Sequence, residues 1–440
     1  MKKSTQRFMK RPTSSSVHKG THPLLATAIF FLLFFLAGCK QNEEKRIAIW
    51  TASSEFAPYI EFFNETHSQK AILVYKENPA SALSLRTDEQ EADIVIGPWL
   101  KNEKTKKYFY PTNFIFRKKL LDASIFYPIF LKSGEFSKRQ YLLPVSFNLP
   151  VMIFASENSE LIANNYTITF DQIKSAGTAF NKQSKNGAYT RMGFALQSSN
   201  DFLYLATKIR GVDFAETKNG DFTWNEESLA ETVDYLKEWI SSSNGSVQTE
   251  SDFVYKYLSE SDDKRVTSGR TLFAYTTSDR LFQMPKNQLE KIDYRWIQMD
   301  DALPVEDSMI MLGIPRTSKN KPGAAEFISW FFDVQTQRAL LTRTASMNLN
   351  LTKFGIADGF SSLKEVNDFI LPSHYTKLLS NVPQSGQFIL FERKPAHWEE
   401  IKRTVIIPYI KDAITTENNS RKILTIDERY TDWKKQLILP

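Results

Sequence analysis

The chain has 440 residues, too many for one ordinary hydrophobic core and enough for two domains. Its composition is globular, 42% hydrophobic and 24% charged with 33 Phe and 17 Tyr, which excludes disordered, collagenous and low-complexity classes. The net charge of +6 does not make a basic face: Lys2, Lys3, Arg7, Lys10, Arg11 and Lys19 all lie in the first 38 residues, where there is no acid, and the rest balances at 50 basic against 50 acidic residues.

A nucleic-acid partner is therefore not implied. A single cysteine, Cys39, cannot form an internal disulfide. The five histidines (His18, His22, His67, His374 and His397) are scattered, so neither a metal site nor a cofactor is indicated. From Leu24 to Leu36 runs "LLATAIFFLLFFL", 13 residues, too short to span a bilayer as a helix. A basic segment precedes it and small residues follow it, the three-part pattern of a secretory signal peptide over 1–38. The junction Leu36-Ala37-Gly38-Cys39 resembles the lipobox of bacterial lipoproteins, which implies cleavage before Cys39, lipidation of its thiol and acylation of the new amine. Several acyl chains hold a protein on a membrane where one does so only marginally. Residues 39–45 then form a short polar tether.

In chain order, "RIAIW" (46–50) predicts a strand that runs into "TASSEFAPYIEFFNETH". Phe56, Tyr59, Ile60 and Phe63 fall at i, i+3, i+4 and i+7, one helical stripe, with Ser53 or Ser54 as its cap and Pro58 in its first turn. "AILVYKEN" (71–78) and "ADIVIGPWL" (92–100) are further strands, and strand–helix–strand order with unalternating apolar strands predicts a parallel α/β sheet. "YLLPVSFNLPVMIFAS" (141–156) carries two prolines in an apolar run and reads as strands crossing between bodies. Helices are predicted at 169–182 with Thr169 as cap, within 191–214, and at 224–240, where Glu226 and Glu227 complement the helix dipole. "SGRTLFAYTTSDRLFQM" (268–284) reads as strand, polar turn and helix. A strand ending at Pro315 precedes a long helix starting near Pro322, and a late helix over 397–414 is bent or restarted at Pro408.

These segments in this order resemble the extracellular solute-binding proteins of ABC importers, the large sugar-type family 1 class. The stretches that carry the resemblance are the lipobox, "IAIWTASSEFAPYIEFFN", "ADIVIGPWL", "YLLPVSFNLPVMIF", "FDQIKSAG", "SNDFLYLATKIRGVDF", "VTSGRTLFAY" and "GIPRTSKNKPGAAEFISWFFDVQTQ". The resemblance implies an α/β, two-lobed, type II periplasmic-binding-protein-like fold. Each lobe would be a mostly parallel sheet flanked by helices, with a ligand cleft between the lobes. It places the first lobe at 46–147 plus 304–347 and the second at 148–303 plus 348–440, with crossings near Asn148–Met152, Asp300–Leu303 and Met347. The function it implies is capture of a small polar solute, a sugar or oligosaccharide, by hinge closure and delivery to ABC permease subunits, from a lipid anchor in the cell envelope facing the periplasm or exterior.

Ligands of open α/β sheets bind beyond the carboxyl ends of the strands. That rule selects Trp50, Ser53 and Ser54, then Trp99 after Gly97 and Pro98, and Asn148 at the crossing; in the second lobe it selects Asn200, Asp201, Tyr275 and Thr277. Aromatic faces stack on the C–H faces of a sugar while Asn and Asp bind its hydroxyls. One departure from the family is "LPVEDSMIMLGIP". Where many members have a Gly-rich turn, this chain has Glu306, Asp307 and Ser308, which permits a side-chain contact there. "TASMNLNLTKFG" (344–355) also lacks the expected Gly-Pro turn. The departure supports an alternative, a binding-fold lipoprotein acting as sensor partner, adhesin or scaffold. An enzyme is not indicated: there is no G-x-S-x-G, H-E-x-x-H, P-loop or dinucleotide fingerprint, and the adjacent pairs Asp262–Asp263 and Asp300–Asp301 are poorly placed for a carboxylate dyad.

Overall fold

The computed structural model describes residues 46–84, 91–163, 165–349, 352–379, 381–383, 386, 388–391, 394–416 and 422–438. Cys39, the apolar run and the tether lie outside them. Strands β1 (Ile47–Thr51), β2 (Ala71–Tyr75) and β3 (Ile94–Gly97) form a parallel set with β1 in the middle, and helix α1 (Phe56–Thr66) connects β1 to β2. Every residue of β1 and β3 is buried, as strands covered on both faces require. Helix α1 buries Phe56, Tyr59, Ile60 and Phe63, the stripe that the spacing predicts. Neither serine caps it with a side chain. The N-cap position is Glu55, and the helix opens on backbone bonds from Phe56 to Ser53 and from Ala57 to Ser54. The Ser53 amide instead donates to Thr51 Oγ1.

The chain then leaves the first sheet through β4 (Leu142–Phe147) and enters a second at β5 (Pro150–Ala155). There follow β6 (Thr167–Ile168), α2 (Phe170–Phe180), α3 (Asn200–Ile209), α4 (Glu226–Asn244), α5 (Val247–Tyr257), β7 (Ala274–Thr277) and β8 (Ile292–Ile297). The second sheet has the order β7-β5-β8-β6, with β5 antiparallel to both neighbours. Thr169 closes a capping box with Gln172 at the start of α2. Trp239 on α4 is fully packed, and with Phe154, Phe202, Leu205 and Leu236 it forms a core on one face of this sheet.

After β9 (Leu303–Pro304) the chain returns to the first sheet as β10 (Ile310–Gly313), antiparallel to β3 and β4. Pro144 is tolerated inside β4 because the β4–β10 register shifts beside it. Helices α6 (Lys321–Phe331) and α7 (Val334–Ser346) then cover this lobe; Phe327 and Phe331 on α6 pack with Phe56 and Phe63. The first lobe does not end near Met347. β11 (Phe360–Ser361) pairs with Phe147 and Ser146 of β4, giving the order β11-β4-β10-β3-β1-β2. The reason is apolar: Phe354, Phe360, Leu363, Val366 and Ile370 are buried in the first core, which also reaches one face of the second sheet through Ile153, Tyr294 and Trp296. Both sheets are therefore mixed, and strands arriving from the other lobe run against their hosts. β12 (Phe388–Ile389) pairs with β9. The late helix runs as α8 (Trp398–Ile401), a wide π-turn over Lys402–Ile406, and α9 (Ile407–Thr415). Pro408 lies in the first turn of α9; its missing N–H and bulky ring account for the widened turn before it.

Candidate functional site

Two of the segments that join the lobes lie side by side. Between β4 and β5 only Asn148 and Leu149 intervene, and the Glu306 amide of the return segment donates to the Asn148 carbonyl at 2.9 Å. Asn148 is half-buried and its side chain is bonded at both ends: Nδ2 donates to the Asp358 carbonyl at 2.8 Å, and Oδ1 accepts from Ser278 Oγ at 2.6 Å. The loop supplying Asp358 follows the 344–355 segment, in which the Gly-Pro turn was expected. Ala357 and Asp358 are both left-handed there, at φ 47° and 59°. Side chains hold that conformation, with Asp358 Oδ1 accepting from the Phe354 amide at 3.0 Å and Gln283 Nε2 at 2.6 Å. Burial raises the Asp358 carboxyl above the ordinary range against these bonds.

The strand-end residues of the first lobe divide into two kinds. Trp50 is buried beneath the Lys76 ammonium, 4.8 Å from its ring, and Ser53 and Ser54 sit on the turn that opens α1. Trp99 is different. It takes a left-handed backbone at φ 53°, uncommon for a bulky residue, which Asn102 Nδ2 supports by donating to its carbonyl at 2.9 Å. Its ring leaves the first lobe and packs against the second core, and its buried Nε1 has no partner among the described residues. In the second lobe Asn200 is exposed at the start of α3, capped by Ser199 and not by Asp201. Asp201 instead pairs with Arg280 at 3.1 Å. Tyr275 is buried and donates its hydroxyl to Glu306 Oε1 at 3.1 Å; Thr277 ends β7 opposite Pro150. Asn148, Tyr275 and Trp99 thus lie on or against the crossing segments and Thr277 ends β7 beside them, while Trp50, Ser53, Ser54, Asn200 and Asp201 belong to their own lobes.

The turn Glu306–Asp307 makes the side-chain contact that its sequence permits, and it makes it to the second lobe. Asp307 pairs with Lys208 of α3 at 2.9 Å, with the side chains 4% and 3% exposed. It also accepts from Trp398 Nε1 at 2.9 Å and from the Tyr204 hydroxyl. Burial pushes the Asp307 carboxyl up, but Lys208, Lys394 and the Tyr204 hydrogen bond outweigh it and hold it well below the usual range. Glu306 goes the other way: burial raises it, and Lys208 and Lys402 offset only part of that. Burial lowers the Lys394 ammonium, which donates to the Phe214 carbonyl and lies 4.7 Å over the Trp398 ring. A cavity of about 60 Å³ adjoins the cluster, lined by Trp99, Lys101, Glu306, Met309, Phe391 and Lys394 among others. A larger hollow of about 990 Å³ lies on the helical side of the first lobe, between Phe114 and Trp330, away from the strand ends. Among the described residues no group of three His, Cys, Asp or Glu side chains is placed to hold a metal ion.

Sequence reasoning passed over Tyr204, Lys208, Lys394 and Trp398. Lys208 carried one readable signal: it closes the run Phe202–Lys208, every member of which is buried. A lysine in so apolar a helix needs a buried partner.

No protein-family model matches the sequence, and no curated protein matches it. Solved structures do match it in fold. CpMnBP1 with mannotriose bound aligns over 85% of this chain and 96% of its own, with a TM-score of 0.57 and 15% identity. A cyclo/maltodextrin-binding protein complexed with maltotetraose covers 90% and 97%, with a TM-score of 0.58 and 12% identity. An ABC substrate-binding protein from Listeria monocytogenes in complex with cycloalternan covers 89% and 98%, at 0.55 and 14%. The chain has the two-lobed, periplasmic-binding-protein-like fold of these structures.

Proposed function

We propose that this chain is a substrate-binding protein that captures a polyhydroxylated solute, an oligosaccharide, between its two lobes and presents it to an ABC permease. The observation that carries the reading is coverage: the similarity to proteins bound to mannotriose, maltotetraose and cycloalternan runs through 85–90% of the chain, so both walls of a cleft are present. The strand-end geometry supports it. Trp99 reaches across the lobes with an indole N–H that has no partner among the described residues, the combination of aromatic platform and placed donor that sugar sites use. The proposal includes an envelope location through a lipid on Cys39, for which the lipobox is the support, and no enzymatic activity. Thermal unfolding of the full chain with a panel of manno-, malto- and cyclic oligosaccharides tests it. A true ligand at a hundred times its Kd adds about 2.7 kcal/mol of stability. A panel with no shift would remove sugars from the account. The anchor is tested separately by fatty-acid labelling, which Cys39→Ser should abolish.

A second reading is a binding-fold lipoprotein without transport. What favours it is that Asn148, Asp201 and Tyr275 are each bonded to other residues of the chain, so a ligand must exchange those bonds rather than meet free groups. Reconstitution with a permease distinguishes the two readings.

A further inference from the structure

The balance of basic and acidic residues after the first 38 hides a local segregation. Residues 104–121 hold Lys104, Lys106, Lys107, Arg117, Lys118 and Lys119 and no acid, interleaved with Tyr108, Tyr110, Phe114 and Phe116. Phe109 and Ile115 are buried and fix this segment to the first lobe, while all six cations are exposed. A second basic stretch, 316–321, also without an acid, lies against it. The Arg316 amide donates to the Tyr108 carbonyl at 2.7 Å, the Tyr110 amide donates to the Ile314 carbonyl at 2.8 Å, and the Lys321 ammonium lies 5.4 Å over the Tyr110 ring. Lys106 pairs with Glu103 and Lys319 with Glu91, at 2.6 and 2.9 Å. Among the described residues no carboxylate pairs with Lys107, Arg117, Lys118, Lys119 or Arg316. The acids nearest them are Glu326 and Asp333 in the large hollow, and Asp333 already accepts from the Thr336 amide.

Apolar groups stand among these cations. Tyr110, Phe114, Leu120 and Trp330 line the hollow beside Lys118 and Lys321, and Tyr110 and Leu120 are 39% and 43% exposed. The chain also enters the first lobe at this end. The Ile47 amide donates to the Lys70 carbonyl, the Lys70 ammonium donates to the His67 carbonyl at 2.7 Å, and His67 lines the same hollow. Cys39 is seven residues before Arg46, an extended span of at most about 25 Å. We infer that this end of the first lobe rests on a bilayer surface rich in anionic lipid. Lys107, Arg117, Lys118, Lys119 and Arg316 meet the headgroups, and Tyr110 and Leu120 enter the interface. This rests on the proposed lipid on Cys39, which raises the local concentration of the surface so that a weak patch suffices. A nucleic acid offers the same charge but no apolar layer for Leu120, so a lipid surface fits the patch better. The hollow lies away from the strand ends, so a body resting on it keeps those ends off the bilayer.

The test uses residues 46–440, which form a compact unit of their own and hold every described core. Neither a lipid on Cys39 nor the apolar run then contributes. Flotation is measured with vesicles of phosphatidylcholine alone and with one-third phosphatidylglycerol. The protein should float with the anionic vesicles only, and high salt should release it. Each cation at such a surface contributes about five-fold, so Lys107→Gln, Arg117→Gln, Lys118→Gln and Lys119→Gln together should lower partitioning at least about a hundred-fold. Lys182→Gln, Lys185→Gln, Lys256→Gln and Lys264→Gln remove the same charge from exposed positions of the second lobe and should leave it within about two-fold. All eight positions are exposed, so the melting temperature should not change in either set. No flotation with anionic vesicles, or an equal loss in both sets, overturns the inference. So does tighter binding to single-stranded DNA than to the vesicles at the same salt, which would assign the patch to a nucleic acid. Fatty-acid labelling of Cys39 in a protein whose 46–440 body ignores vesicles would refute the patch and leave the anchor standing. A body that binds vesicles in a protein with no label on Cys39 would do the reverse.

Discussion

Two buried aspartates, one in each half of the structure's polar framework, are held in opposite ways. Asp93, just before β3, accepts from the Ala48 amide at 3.1 Å, Ser318 Oγ at 2.8 Å and the Asn320 amide at 2.9 Å. All three donors are neutral and belong to the first lobe. Asp307 sits on the segment between lobes and takes a lysine, a tyrosine and a tryptophan from the second. Neutral backbone donors come with the fold, so they stabilise one lobe and nothing beyond it. Long charged side chains can reach another body, and their pairing fixes how that body sits. The price is desolvation of two charges, which only a complete set of partners offsets.

The largest expected effect follows from that difference. Asp307→Ala leaves the Lys208 ammonium buried and unpaired, and should cost about 3–5 kcal/mol in urea unfolding. Replacing both partners with apolar residues, Asp307→Leu with Lys208→Met, should recover most of the loss, since a buried pair and a packed apolar pair are of similar stability. A double variant as unstable as the single one would mean that the Tyr204 and Trp398 bonds, not charge, hold the segment.

Much of this fold was legible before the structure. The α1 stripe, the unalternating strands, the capping box at Thr169 and the break near Pro408 are local features, and local periodicity and capping chemistry report them directly. What stayed hidden is what depends on contact at long sequence separation. Lys208 and Asp307 are 99 positions apart, in numbering, and meet only because α3 packs beside the crossing. The return of Phe360 to the first sheet was missed because the residues around it carry a core-like pattern that either lobe could bury. Ser53 and Ser54 have the chemistry of caps, yet backbone turns open α1 instead. At the candidate site the strand-end rule selects residues by position alone, and position could not tell that Asn148, Asp201 and Tyr275 would find partners within the chain.

A third buried acid sharpens the comparison, because it too has only neutral donors and its titration is displaced. Glu250 on α5 is fully buried and accepts from the Gln197 amide and Asn244 Nδ2, each at 2.6 Å. Burial dominates those neutral bonds and pushes its carboxyl up to about 7 from 4.5. The folded state therefore holds this proton more tightly than the unfolded one. The stability it contributes is complete below pH 4.5 and is lost as pH rises through 7, about 3 kcal/mol in all. Glu250→Gln should remove that component, so the stability difference between variant and parent should drift in the variant's favour by this amount from pH 4.5 to 8. Parallel urea titrations across that range measure it. An equal slope in both proteins would show that two neutral donors suffice to keep a buried carboxylate charged, and the contrast between Asp307 and the others would lose its physical basis.

The smallest effect belongs to Asp93. Asp93→Ala removes an acceptor from the Ala48 and Asn320 amides and the Ser318 hydroxyl, but it strands no charge. Unpaired neutral donors cost about 1–3 kcal/mol, less where water or a neighbouring carbonyl reaches them, so a loss of about 2 kcal/mol is expected. Because every donor lies in the first lobe, the distance distribution between spin labels at Glu61→Cys on α1 and Asp234→Cys on α4, in the chain with Cys39→Ser, should not change, whereas Asp307→Asn should alter it. Melting temperature and label distance thus separate a carboxylate that holds one lobe from one that ties a crossing segment to the other. If Asp93→Ala widened the distribution too, loosening of one lobe would suffice to shift the two labels, and Asp307 would owe its effect to stability rather than to its place between the lobes.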